Sequence, residues 1–128
     1  MEETKKKILI IDDDLRMDRM LTFLFESQGF EVKFSETGKS AISLLNEYRP
    51  NIILLDLLMP EMDGFEVCEK IKKDPLLKDI PIIVLSALPY LAHKERAFSL
   101  GACEYIEKPF VSIKLVNKVK EIIEKNNS

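Results

Sequence analysis

Four aspartates stand at the ends of apolar runs. Asp12, Asp13 and Asp14 directly follow Ile8-Leu9-Ile10-Ile11, and Asp56 closes Ile52-Ile53-Leu54-Leu55 before Pro60 and Asp63-Gly64 turn the chain. A carboxylate in such a place has a plain role, capping the next turn, and taken alone Asp56 fits it. Two other side chains occupy equivalent places: Ser86 ends the run Ile80–Leu85, and Lys108 follows Glu104–Glu107. Gathered at one rim, these groups would do more than cap turns. Two carboxylates about 4 Å apart repel by roughly 4 kcal/mol at an effective dielectric of 20. Either one of them binds a proton or a divalent cation sits among them. Oxygen donors without thiolate or imidazole favour Mg²⁺, which takes one or two protein carboxylates together with phosphate oxygens. That suits phosphoryl transfer onto a carboxylate, with Asp56 as nucleophile, Asp13 as a metal carboxylate and Asp12 as another, acting directly or through water. Lys108 would supply a fixed positive charge and Ser86 a hydroxyl donor to a phosphoryl oxygen. Singly, Ser86 and Lys108 read better as surface residues without a role; their shared position at strand ends argues for the site.

These residues can meet only if the elements carrying them share a sheet. Lys7–Ile11, Ile52–Leu55 and Ile80–Leu85 are continuous apolar runs, the mark of strands buried on both faces. Glu31–Ser35 and Glu104–Glu107 alternate polar and apolar residues, as half-exposed strands do. Between them lie helical patterns. Leu15–Gln28 places Met17, Met20, Leu21, Leu24 and Phe25 at helical spacing before Gly29, and Gly38–Tyr48 does so with Ala41, Ile42, Leu44, Leu45 and Tyr48 before Pro50. Phe65, Val67, Cys68 and Ile71 mark a third helix ending near Asp74-Pro75, and Tyr90–Leu100 a less amphipathic fourth, stopped by Gly101. Ser112 is placed to cap a fifth, with Leu115, Val116, Val119, Ile122 and Ile123 on its apolar face. Five strands alternating with five helices predict a parallel sheet covered on both sides. Continuous runs belong in its centre and alternating ones at its edges, which the order 2-1-3-4-5 satisfies. Right-handed crossovers then bring Asp12, Asp13 and Asp56 to one rim, beside Ser86 and Lys108.

At 128 residues the chain fits one domain, and its 46% hydrophobic and 32% charged residues are those of a soluble globular protein. A net charge of -3 and a pI near 5.3 argue against direct nucleic-acid binding. No apolar stretch nears the ~20 residues that a membrane span needs, and no signal peptide opens the chain, so a cytoplasmic protein without membrane insertion is expected. Cys68, Cys103 and the single His93 cannot form a structural zinc site. Both cysteines read as reduced residues in or near the core.

Four stretches together carry a resemblance: ILIIDDD at Ile8–Asp14, LDLLMPEMDG at Leu55–Gly64, VLSA at Val84–Ala87 and GACEYIEKPF at Gly101–Phe110. In this order and spacing they resemble the receiver domain of two-component response regulators, over essentially the whole chain. The resemblance implies a flavodoxin-like (βα)5 three-layer sandwich forming one receiver domain over residues 1–128, with its core at about 6–125 and no effector domain. It implies that Asp56 is the phosphoacceptor, served by a sensor histidine kinase or a phosphotransfer protein. Mg²⁺, with Mn²⁺ as a substitute, would be bound by Asp12, Asp13, Asp56 and the backbone carbonyl of Leu58. Ser86 would be the hydroxyl switch residue, Lys108 the phosphate-contacting lysine and Tyr105 an aromatic that swings inward as Ser86 moves. The bond Lys108-Pro109 would be cis. Such a protein is no enzyme in the ordinary sense; it assists its own phosphorylation and dephosphorylation. Phosphorylation would rearrange the surface of helix four, strand five and helix five for a downstream protein partner or effector domain. The chain departs from the commoner family residues in having Ser86 in place of threonine. Leu58 and Leu88, at positions that influence phosphoryl lifetime in this family, are both apolar.

Other readings stand beside this one. A flavodoxin-like cofactor carrier would want a glycine- and hydroxyl-rich phosphate loop where this chain has three aspartates. A haloacid-dehalogenase-type phosphatase would want an aspartate at position 58 and a cap insertion. A receiver-like interaction module that takes no phosphate would share the fold but have no need of Asp56, Asp13 and Lys108 together.

Overall fold

The period-two alternation inside the apolar runs divides the molecule into two cores. In this computed structural model, which describes residues 4–60 and 62–126, the elements follow in the order β1 (Lys7–Ile11), α1 (Leu15–Glu26), β2 (Glu31–Ser35), α2 (Gly38–Leu44), β3 (Ile52–Leu55), α3 (Gly64–Lys73), β4 (Ile82–Ser86), α4 (Tyr90–Ser99), β5 (Glu104–Glu107) and α5 (Ser112–Asn126). The strands form one parallel sheet in the order 2-1-3-4-5, as the run patterns predict. Leu9, Ile11, Ile53, Leu55, Ile82, Val84 and Tyr105 face one core with Ala41 of α2, Val67, Cys68 and Ile71 of α3 and Ala97 of α4. Ile8, Ile10, Ile52, Leu54, Ile83 and Leu85 face the other with Leu21 and Phe25 of α1 and Leu115, Val116, Val119 and Ile123 of α5. Successive strand residues point to opposite faces, so a fully apolar run is what a strand covered on both sides requires.

Register sets where the strands end relative to one another. Ile11 pairs with Leu55, Leu55 with Val84 and Val84 with Tyr105. Asp12 and Asp56 are therefore the next residues of adjacent strands, and the Asp56 N–H donates to the Ile11 carbonyl at 2.9 Å. Ser86 and Lys108 emerge one and two residues further along their own strands, joined by a bond from the Lys108 N–H to the Ser86 carbonyl at 2.8 Å. The first and third helices start where side chains satisfy their free N–H groups. Asp14 accepts from the N–H groups of Arg16 and Met17, and Asp63 from that of Glu66. Gly29, at φ 91°, takes the left-handed conformation that ends α1.

The structure corrects several expectations in detail. The second helix stops at Leu44 rather than Tyr48, because Asn46 and Glu47 donate to Ser43 and Leu44, three residues back, which tightens the chain out of the α pattern. Tyr48 is buried nonetheless. A similar tightening at Gln28 and Gly29 ends α1 at Glu26. The fourth strand begins at Ile82, after Pro81, which has no N–H to give the ladder, and it includes Ser86. Ser112 is the first residue of α5 rather than its cap, with the Val111 carbonyl accepting from Lys114 and Leu115. Met20, expected on the apolar face of α1, is exposed. Both cysteines are free, but Cys103 is exposed, while Cys68 is buried against the Leu100 carbonyl. No helix among the described residues is long and apolar enough to cross a membrane.

Candidate functional site

The carboxyl ends of β1 and β3 bring Asp12, Asp13 and Asp56 together. Each can offer a carboxylate oxygen such that the three atoms lie within 4.8 Å of one another. Asp12 and Asp56 are buried while Asp13 faces solvent, so the cluster is a pocket with one open side. Lys108, reaching in from the end of β5, places its Nζ 2.8 Å from Asp12 Oδ2 and 3.5 Å from Asp56 Oδ2. Two backbone groups hold the buried acids: the Asp14 N–H donates to Asp12 Oδ1 at 2.9 Å, and the Leu58 N–H to Asp56 Oδ1 at 3.1 Å.

Burial pushes the Asp12 carboxyl above the usual carboxylate range, against the pull of the Lys108 and Asp14 hydrogen bonds. Burial also works against the charge on Lys108. The hydrogen bond to Asp12 and the charge of Asp56 outweigh it and hold the ammonium above its ordinary range. Three carboxylates against one ammonium leave two formal negative charges, which a divalent cation would balance. Hard oxygen donors at this spacing fit Mg²⁺ or Mn²⁺ and offer nothing to a soft metal.

Ser86 is fully buried, and its Oγ accepts from the Leu88 N–H at 3.2 Å rather than bonding to Asp56. Tyr105 lies inward and buried, its hydroxyl donating to the Leu88 carbonyl at 2.7 Å and its ring meeting Tyr90 edge-on at 5.5 Å. The Leu88 backbone thus links the two expected switch residues. The Tyr90 N–H donates to Glu107, which ties the start of α4 to the end of β5. The peptide bond Lys108-Pro109 is cis, as the resemblance implied. Leu58 lies beside Asp56 with half of its surface exposed.

Two features in and beside the site carry no sequence motif. Gly64, read only as a turn residue, is where α3 meets the Asp56-Leu57 backbone: a Cβ there would lie 2.3 Å from the Asp56 carbonyl oxygen. Asp18 looks like an ordinary polar helix residue, yet it is fully buried on α1 with Leu21 and Phe25. The spacing of 18, 21 and 25 was a signal that could have found it.

Comparison with known proteins agrees with this geometry. Residues 8–120 match the response regulator receiver domain family. The chain is 34% identical over 128 residues to the probable transcriptional regulator ycf27 of Cyanophora paradoxa, covering 100% of this chain and 52% of that protein. It is 32% identical over 121 residues to the DNA-binding dual master transcriptional regulator RpaA of Synechocystis sp., covering 94% of this chain and 50% of the relative. It also resembles the solved CheY-like receiver domain protein of Methanospirillum hungatei, with a TM-score of 0.91, 28% identity and coverage of 97% and 98% of the two chains. The chain spans about half the length of the curated relatives it matches. A DNA-binding name among relatives of that length confines the expectation of no nucleic-acid contact, drawn from charge, to the surface of these 128 residues. The family match, the sheet order and the acids gathered at its rim converge: this chain belongs to the response regulator receiver domain family of two-component signalling.

Proposed function

We propose that Asp56 is the phosphoacceptor, taking a phosphoryl group from a histidine kinase or phosphotransfer protein while Asp12, Asp13, Asp56 and the Leu58 carbonyl hold Mg²⁺ or Mn²⁺. Response regulators partner with such kinases and phosphotransfer proteins, and receiver domains are generally not enzymes. The observation that carries the proposal is the meeting of three carboxylates within 4.8 Å with Lys108 3.5 Å from Asp56. A bound divalent cation would neutralise phosphoryl oxygens that the carboxylates otherwise repel. The chain's own residues supply the rest. The Leu58 N–H fixes one oxygen of Asp56, and the other faces Lys108. Attack by the carboxylate forms an O–P bond as the donor's N–P bond breaks and its imidazole leaves with the electron pair. The phosphoryl group of the product carries about two negative charges in place of the carboxylate's one, and these draw Lys108 away from Asp12 and Ser86 away from the Leu88 N–H.

Movement of Ser86 releases a bond that now shapes the loop into α4, and Tyr105 is tied to that loop through the Leu88 carbonyl. The surface of α4, β5 and α5 is therefore the part that changes, and a partner protein or effector domain would read it. On this reading the chain is one receiver domain of a cytoplasmic protein, and it assists its own phosphorylation and dephosphorylation without turning over a separate substrate.

Incubation with a small-molecule phosphodonor and Mg²⁺ tests the proposal. Intact-protein mass should rise by one phosphoryl group, and the gain should vanish in Asp56→Asn or with a chelator. Turnover of a phosphoester would indicate a phosphatase instead, and no reaction of either kind a passive interaction module.

A further inference from the structure

Asp18 has no place in the chemistry above, yet its surroundings are unusual. It lies on the buried stripe of α1, fully excluded from solvent, and neither carboxylate oxygen has a hydrogen-bond partner among the described residues. One turn further, the buried hydroxyl of Thr22 is unpartnered among the described residues as well. An ionised carboxylate without donors is costly to bury. The charged groups around it do not offset that cost. Asp12 at the end of β1, Asp14 at the start of α1 and Glu36 after β2 are all negative, and Lys108 is the opposing charge. From α5, which shares this core, come apolar Leu115, Val116, Val119 and Ile123.

A proton relieves the carboxylate. Asp18 stands five residues beyond Asp13 and bonds to none of the pocket's acids, so its link to them acts through space. We propose that Asp18 is a buried proton-binding site coupled to the acidic pocket, such that a divalent cation entering the pocket releases the proton to solvent. The inference rests on the reading of that pocket as a cation site. Burial, then the charges of Asp12, Glu36 and Asp14, push the Asp18 carboxyl up to about 7, so its proton is exchangeable near neutral pH. A cation beside Asp12 removes part of the negative field that helps hold the proton. Linkage makes the effect reciprocal: cation affinity rises as Asp18 loses its proton, and the receiver becomes less easily loaded with metal as pH falls.

Calorimetric titration of the full chain with MgCl₂ at pH 7, in two buffers of different ionisation enthalpy, tests this beside Asp18→Asn. In the wild type, the heat should depend on buffer, with Asp18 contributing up to about half a proton released per ion. Asp18→Asn should still bind Mg²⁺ but release correspondingly less; whatever Asp12 contributes is common to both proteins. Absence of Mg²⁺ binding overturns the cation reading of the pocket and this inference with it. Binding with equal proton release in both proteins overturns the inference alone. Carboxyl ¹³C titration of Asp18 in the wild-type chain gives an answer that needs no variant: its midpoint should fall on adding MgCl₂, and a midpoint that stays in place refutes the coupling.

Discussion

Gly64 gives the sharpest mechanical test of how the site is held. A Cβ at this position would lie 2.3 Å from the Asp56 carbonyl oxygen, 2.5 Å from Leu57 Cα and 2.9 Å from the Asp56 carbonyl carbon. All three are backbone atoms of the segment that carries Asp56, so no side-chain rotation relieves the clash. The start of α3 must instead move away by about 1 Å, and overpacking of this kind costs about 1–3 kcal/mol. The same movement stretches the bond from the Gly64 N–H to the Leu57 carbonyl, 3.1 Å in the structure. Its loss adds about 1 kcal/mol. Gly64→Ala should therefore lose about 2–4 kcal/mol, seen as a lower urea midpoint by circular dichroism and a Tm lower by roughly 10 °C. Because the added Cβ presses on the backbone of Asp56 itself, Mg²⁺ binding should weaken as well. Gly38→Ala is the control: its Cβ would meet Val67 Cγ2 at 2.5 Å and the Met62 sulfur at 3.0 Å, side-chain atoms rather than the backbone of Asp56, so it should cost stability, Val67 being buried and stiff, without weakening Mg²⁺ binding as Gly64→Ala does. If Gly64→Ala lies within about 0.5 kcal/mol of wild type, or weakens Mg²⁺ binding no more than Gly38→Ala does, the account of this contact is wrong.

Two further outcomes follow from the site. Asp18, at 3.8 in the unfolded chain and about 7 in the folded one, makes the folded state bind more protons between those values, so stability should fall as pH rises through that window and level off above it. The full effect is about 4 kcal/mol, and urea unfolding at pH 5 and pH 8 should show a flatter pH profile in Asp18→Asn; equal slopes would remove Asp18 as the cause. The apolar pair Leu58 and Leu88 should slow attack of water on the phosphorylated chain. The double variant Leu58→Asn, Leu88→Glu should then lose its phosphoryl group faster, and an unchanged half-life would count against the idea.

Lys108 shows how a site can be read correctly in its members and still be unknown in its arrangement. Its position after β5 marks it as the fixed cation, but the structure puts its Nζ nearer to Asp12 than to Asp56. Which buried acid a flexible lysine chooses depends on where three strand ends stand in space, and no spacing along the chain encodes that. Ser86 is similar. Its place at the end of an apolar run was legible, whereas its bond to the Leu88 N–H belongs to the loop that follows.

By itself, the sequence determined the layers, which strands are central and which lie at the edges, and the strand ends that carry the acids. Whether a run is continuous or alternating reports how many of its faces are covered, and that is a local property of side-chain order. Tertiary structure decided what distance and exclusion of solvent decide. Asp18 looks like any polar residue on a helix until α1 is laid against the sheet, because burial is a property of what covers a residue. Gly64 looks like any turn glycine until α3 is set against the backbone of Asp56. The meeting of Asp12, Asp13 and Asp56 joins both levels: the sequence placed each acid at a strand end, and the pairing of Ile11 with Leu55 brought them within reach of one cation.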